Sequence, residues 1–111
     1  MRIITLNVNG LRSAAGKGLF DWLPRQEADV ICVQELKAQQ GDISGVMRAP
    51  DGYSGYFHCA EKKGYSGVGL YTRYSPDQII EGTGIPEIDV EGRFLRVDFG
   101  NLTVISIYLP S

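Results

Sequence analysis

The sequence predicts an α/β fold: a mostly antiparallel mixed sheet with helices on one face. Three observations carry this. The run Asp29-Val30-Ile31-Cys32-Val33-Gln34-Glu35-Leu36-Lys37 is apolar and β-branched until it breaks into Gln-Glu-x-Lys, the pattern of a strand buried on both faces. An apolar helical segment over residues 19–26 separates it from an earlier strand, which makes a strand–helix–strand unit. The second half is a series of short β-rich runs divided by turn residues, and Gly100-Asn101 joins the last two as a hairpin.

The 111 residues suit one domain, 1–111, with a modest core. Hydrophobic residues at 43% and charged residues at 22% are ordinary for a soluble globular protein. No apolar run reaches the length of a membrane span and the first residues carry no signal-peptide pattern, so the expected location is cytoplasmic. A net charge of −2 and a pI near 5.3 argue against nonspecific nucleic-acid binding, although the placement of positive charge matters more than its sum. Cys32 and Cys59 lie in apolar or aromatic stretches without metal-type spacing; both are expected to be buried and reduced.

Met1 to Val8 reads as the first strand, ended by Asn7-Val8-Asn9-Gly10, where Asn-Gly favours a turn. Leu11 to Gly18 reads as loop. Leu19, Phe20, Trp22 and Leu23 form the apolar face of a helix reaching Gln26, with Pro24 obscuring its boundary and Trp22 expected in the core. The run at 29–37 is the second strand. Loop follows to Pro50, with a short helix around Ile43 to Met47 that Asp42 could cap. Tyr53 to Ala60 alternates as a strand and contains His58, the only histidine; no carboxylate lies near it in sequence to orient it. Glu61 to Gly67 is a hairpin-like connection, and Lys62, Lys63 and Tyr65 give it a basic-aromatic character suited to a phosphate backbone. Gly67 to Arg73 is a strand whose two interior glycines imply tight sheet packing. Pro76 to Ile80 is a short strand, Gly82 to Gly92 is turn-rich, and Arg93 to Phe99 alternates as a half-exposed strand. Leu102 to Leu109 is strongly β, and so apolar a sheet needs covering on its second face.

Glu35 falls at or just past the carboxyl end of its strand, where open α/β sheets place ligands. A carboxylate there is held by rigid backbone yet open to solvent, which suits a hard cation that keeps several waters. The competing reading is a surface pair between Glu35 and Lys37. Asn7 and Asn9 lie at the neighbouring strand tip; turn formation accounts for Asn9, and Asn7 is open to either a turn or a site role.

Four segments, Leu6-Asn7-Val8-Asn9-Gly10-Leu11-Arg12, Gln34-Glu35-Leu36-Lys37, Gly64-Tyr65-Ser66-Gly67-Val68-Gly69-Leu70 and Tyr108-Leu109-Pro110, together resemble the exonuclease III-like AP endonucleases of the endonuclease/exonuclease/phosphatase superfamily. The resemblance implies half of a four-layer α/β sandwich, one sheet with its outer helices. It implies Mg²⁺-dependent cleavage, with Mn²⁺ as a substitute, of double-stranded DNA at abasic sites and 3′ ends. By the same resemblance Glu35 is the metal ligand, Asn7 the polar residue beside the metal, and Tyr108 the active-site tyrosine near the scissile phosphate. Asn9 stands where some members carry Asp. Arg12, Lys37, Lys62 and Tyr65 fall in DNA-facing loops. The family's Asp-x-Asn pair, further Asp and terminal Asp-His pair have no counterpart here, so only an N-terminal half is matched and the chain alone is expected to be inactive. Two alternatives remain: a self-associating half-domain that dimerises through its exposed sheet face, and a superfamily phosphatase acting on small phosphoesters.

Overall fold

Strands β1 (Ile3–Asn7) and β2 (Val30–Gln34) run parallel, with Ile3 opposite Val30 and Asn7 opposite Gln34. The computed structural model describes residues 1–109, so Pro110 of the Tyr-Leu-Pro motif lies outside the described residues. Between the two strands lie α1 (Leu11–Gly16), α2 (Leu19–Trp22) and a 3₁₀ turn, Leu23–Gln26. Pro24 sits in the first turn of the 3₁₀ segment, where its missing N–H costs nothing.

The expected loop at 11–18 is therefore helical over Leu11–Gly16. Leu11 is fully buried and its N–H reaches the carbonyl of Leu36 (2.8 Å), so tertiary contacts start a helix that local pattern does not announce. Trp22, expected in the core, is 40% exposed; Leu19, Phe20 and Leu23 fill the core instead. The short helix expected near 43–47 is two 3₁₀ turns, Gln40–Asp42 and Gly45–Met47. Asp42 ends the first turn, and its carboxylate accepts the Gln39 N–H (2.9 Å) rather than capping the second.

Antiparallel β3 (Ser54–His58) and β4 (Val68–Thr72) complete a sheet ordered β1-β2-β4-β3. Every residue of β4 is buried, as two-sided packing demands. Gly69 is required there, because a Cβ would meet the Phe57 ring at 2.6 Å. On the helix side Ile31, Val33, Phe57 and Tyr71 pack with Leu11, Phe20 and Leu23.

The opposite face holds the main correction to the expected architecture. The chain builds two sheets, not one: β5 (Gln78–Glu81), β6 (Phe94–Phe99) and β7 (Leu102–Ile107) form a separate antiparallel sheet ordered β5-β6-β7. It covers the inner face of the first sheet, with Val30, Cys32, Val68 and Leu70 against Leu95, Val97 and Val104. The face expected to be open for dimerisation is thus occupied within the chain. The connection at 82–92 contains one helical turn, α3 (Pro86–Asp89). Cys32 is buried between the sheets, whereas Cys59 is only partly buried; both are free, and burial pushes both thiols up to about 11. Among the described residues no helix is long and apolar enough to cross a membrane.

Candidate active site

The segment after β2 is stitched to both neighbours. The carbonyl of Glu35 accepts the Gly10 N–H (2.8 Å), the Leu36 N–H reaches Gly67 O (3.1 Å), and the Lys37 N–H reaches Ser66 O (2.8 Å). To satisfy both sides, Glu35 and Lys37 adopt positive φ of 60° and 51°. Such backbone costs about 1–3 kcal/mol per residue and persists only where surroundings enforce it, often at functional sites.

The Glu35 side chain is 19% exposed. Its Oε2 accepts from Asn7 Nδ2 (3.0 Å) and from the Tyr108 hydroxyl (2.9 Å), and its Oε1 lies 3.3 Å from Lys37 Nζ. The Asn7 and Tyr108 bonds, with Lys37 adding to them, hold the Glu35 carboxyl below the usual carboxylate range. The same bond, seen from the other side, raises the Tyr108 phenol. Tyr108 is aimed by the second sheet: its N–H bonds the carbonyl of Arg93 (2.9 Å), one step beyond the Phe94–Ile107 pair.

Asn7 serves both the turn and the site. Its Oδ1 accepts the Asn9 N–H (2.9 Å) while its amide nitrogen grips Glu35. Asn9 takes the left-handed conformation (φ 48°), and its Oδ1 accepts from Lys37 Nζ (2.8 Å). Arg12 donates to the Lys37 carbonyl (2.9 Å) and pairs loosely with Asp42. Gln34 is structural: its amide bonds Thr5 Oγ1 (2.9 Å) and reaches toward Ser106 of the second sheet. An open groove lined by Asn9, Ser13, Lys17 and Trp22 flanks this end of β1.

Tyr65 and Lys62 join through a residue that sequence reasoning missed. The Arg93 guanidinium lies over both the Tyr65 and Tyr108 rings, 5.6 and 5.4 Å from their centroids, and Nη2 donates to the Tyr65 hydroxyl (2.7 Å). Lys62 Nζ lies 5.3 Å from the centroid of the Tyr65 ring. Arg93 Nη1 is buried and without a hydrogen-bond partner among the described residues. The signal was available in the hairpin register, which sets Arg93 beside Tyr108. Gly92 fixes the approach: it has φ 61°, a Cβ there would strike the backbone of Cys59 and Ala60, and its carbonyl accepts the Gly67 N–H (3.0 Å). His58 stands apart, with Nδ1 2.9 Å from the carbonyl of Phe94.

The arrangement brings Asn7, Glu35, Lys37 and Tyr108 together at the carboxyl ends of two parallel strands. A model of the Endonuclease/Exonuclease/phosphatase family matches residues 4–110.

The chain belongs to this family. Within it, the chain is 40% identical to the exodeoxyribonuclease of Bacillus subtilis, over all of this chain and 43% of that protein. Its fold is similar to that of an AP endonuclease from Archaeoglobus fulgidus, with a TM-score of 0.84 and 29% identity over 99% of this chain and 42% of that one. It is also similar to the 3′ phosphatase NExo from Neisseria bound to a product DNA hairpin, with a TM-score of 0.83 and 25% identity over 97% of this chain and 41% of that one. The chain therefore spans less than half the length of these relatives.

Among the described residues no group of three or more His, Cys, Asp or Glu could hold a metal ion. The donors on hand are the Glu35 carboxylate, the Asn7 carbonyl, which already accepts the Asn9 N–H, and the Asn9 carbonyl on the far side of Lys37 Nζ. A carboxylate offers about four acceptor directions, and Asn7, Tyr108 and Lys37 claim three of them. Mg²⁺ is commonly held by one or two carboxylates, with waters and substrate phosphate completing the shell. These residues fit one side of such a shell.

Proposed function

We propose that this chain provides one half of a DNA-repair nuclease site that hydrolyses phosphodiesters of double-stranded DNA at abasic sites and 3′ ends. The observation that carries the reading is the Glu35 carboxylate, fixed on strained backbone at a sheet rim by Asn7 and Tyr108, which both bond Oε2 and leave Oε1 facing only the half-exposed Lys37 ammonium. Glu35, with Asn7 beside it, would hold Mg²⁺ (or Mn²⁺). The bound ion would supply Lewis-acid neutralisation of charge on the phosphoryl oxygens. Asn7 keeps the carboxylate oriented and ionised. The Tyr108 hydroxyl, already a donor, is placed to donate to a phosphate oxygen instead. Arg12, Lys37, Lys62 and Tyr65 lie around this rim as DNA-facing groups, suited to fixing a phosphate backbone.

Among the described residues no group is placed to activate the attacking water. Glu35 is ionised but already engaged by three partners, and His58 is bonded to Phe94 away from the rim. The isolated chain is therefore inactive in this reading, since removing one part of a cooperating site forfeits most of its rate. The test is a chimaera in which residues 1–111 replace the matching part of the Bacillus subtilis exodeoxyribonuclease. It should incise an abasic duplex in Mg²⁺ and lose that activity on Glu35→Ala, while the 111-residue chain alone should not cut. Incision by the chain alone, or a chimaera indifferent to Glu35→Ala, would overturn the reading. Release of phosphate from small phosphomonoesters without DNA cleavage would favour a phosphatase.

A homodimer is a second reading, moved to a different face. Ile105 and Ile107 on the outer side of the second sheet are 46% and 48% exposed, and Arg96 and Phe94 are their cross-strand partners. An apolar sheet face beside β7, the last strand of its sheet among the described residues, favours self-association.

A further inference from the structure

The Lys37 ammonium lies between two oxygens, 2.8 Å from Asn9 Oδ1 and 3.3 Å from Glu35 Oε1. Oε1 is the carboxylate oxygen that Asn7 and Tyr108 leave open, because both bond Oε2. An exposed lysine gains little from an ion pair, since ordering its stem offsets the attraction. Lys37 differs in that its backbone is already fixed. Its N–H is bound to Ser66, its carbonyl accepts from Arg12, and its φ is positive. The side chain is delivered over Glu35 by a strained main chain that the bonds to Ser66 and Arg12 hold in place. Asn9 completes the cradle with a neutral acceptor that also takes a left-handed backbone.

We propose that Lys37 is a tethered counter-cation: its ammonium occupies the cation position between Glu35 and Asn9, and a divalent ion binds Glu35 only by displacing it. The proposal rests on the reading of Glu35 as a metal ligand. A unit charge about 4 Å from a divalent ion, in a water-exposed site at moderate salt, weakens binding by about tenfold. Lys37 then holds the open side of the carboxylate in position without metal, and its displaced ammonium is available to an arriving phosphate. The free chain should accordingly bind divalent ions weakly.

The test is direct metal binding to the 111-residue chain, with Mn²⁺ followed by water-proton relaxation and Mg²⁺ by calorimetry. Lys37→Met should tighten both by about tenfold, while Lys37→Arg, which keeps the charge, should not. Lys37→Gly removes the charge and relieves the backbone, so it should tighten binding even if Lys37→Met folds poorly. In the unsubstituted protein the Lys37 ¹³Cε resonance should shift with the same midpoint as metal binding. Binding that is abolished by Glu35→Gln but unchanged or weakened by Lys37→Met and Lys37→Gly would overturn this inference and leave the metal reading standing. No binding to any of the proteins, or binding that survives Glu35→Gln, would overturn both.

Discussion

Tyr108 and Glu35 belong to different sheets, and the 2.9 Å hydrogen bond between them closes the rim across the sheet interface. Glu35 comes from the end of β2 and Tyr108 from just beyond β7. The packing of Val30 and Cys32 against Leu95, Val97 and Val104 therefore decides whether the site exists. The geometry of the candidate site and core packing are coupled in this chain.

Tyr108→Phe removes one donor to Glu35 without changing the shape of the ring. The Glu35 carboxyl should then titrate higher, toward its ordinary range, because a bond that favours its charged form is gone. Side-chain ¹³C titration of Glu35 would measure this. In the chimaera the same change should lower the rate of abasic-site incision by about a hundredfold. An unchanged Glu35 titration would mean that the bond does not persist in solution.

Arg93→Met keeps the aliphatic stem but removes the charge over two tyrosine rings. The contacts it loses are partly desolvated, with the Arg93 side chain only 14% exposed, so the cost should be about 2 kcal/mol. Arg93→Lys should recover little of it, because an ammonium cannot lie flat between rings while bonding the Tyr65 hydroxyl. Thermal unfolding of the three proteins would decide. A lysine variant as stable as the parent would refute the stacking argument.

Acid sensitivity should centre on Asp29, at the opposite end of the first sheet. Its carboxylate accepts from the Arg2 N–H (2.7 Å), the Tyr74 hydroxyl (2.8 Å) and the Arg73 guanidinium (2.7 Å), and these hold it far below the usual carboxylate range. A group depressed in the folded state contributes stability that is fully present above its unfolded value of about 3.9 and is lost as pH falls toward the folded one. Asp29→Asn should therefore have a lower Tm than the parent at pH 7, with a gap that narrows from about pH 4 downwards. A gap that stayed constant with pH would assign the loss to packing instead.

Self-association should depend on the second sheet. If the face carrying Ile105 and Ile107 is an interface, sedimentation should show a concentration-dependent dimer that Ile105→Lys disperses. Those side chains point outward, so the variant should fold normally. A monomer at all concentrations, with no uptake of an apolar dye, would dispose of the dimer.

Much of the architecture was legible because it is written in local pattern. The two-sided apolar run before Glu35 declares a buried strand, the preceding helical segment makes its parallel pairing with β1 natural, and Gly100-Asn101 sets the last hairpin. The Asn7-to-Arg12 and Gln34-to-Lys37 motifs place the candidate groups at neighbouring strand ends for the same reason. What pattern could not supply was non-local. Residues 11–16 become helical because Leu11 is pulled into a core built by distant strands, and Trp22 turns outward because Leu23 reaches that core in its place. Strands with the same alternation can extend a sheet or fold over it. Only the packing of β6 and β7 onto β2 and β4 chose the second course, and with it the meeting of Tyr108, Arg93 and Glu35. The sequence by itself determined the strands, their turns and the residue types at their tips, since these depend on periods of a few residues. The tertiary structure decided which tips face one another, because burial of apolar surface between two sheets is a property of the whole chain.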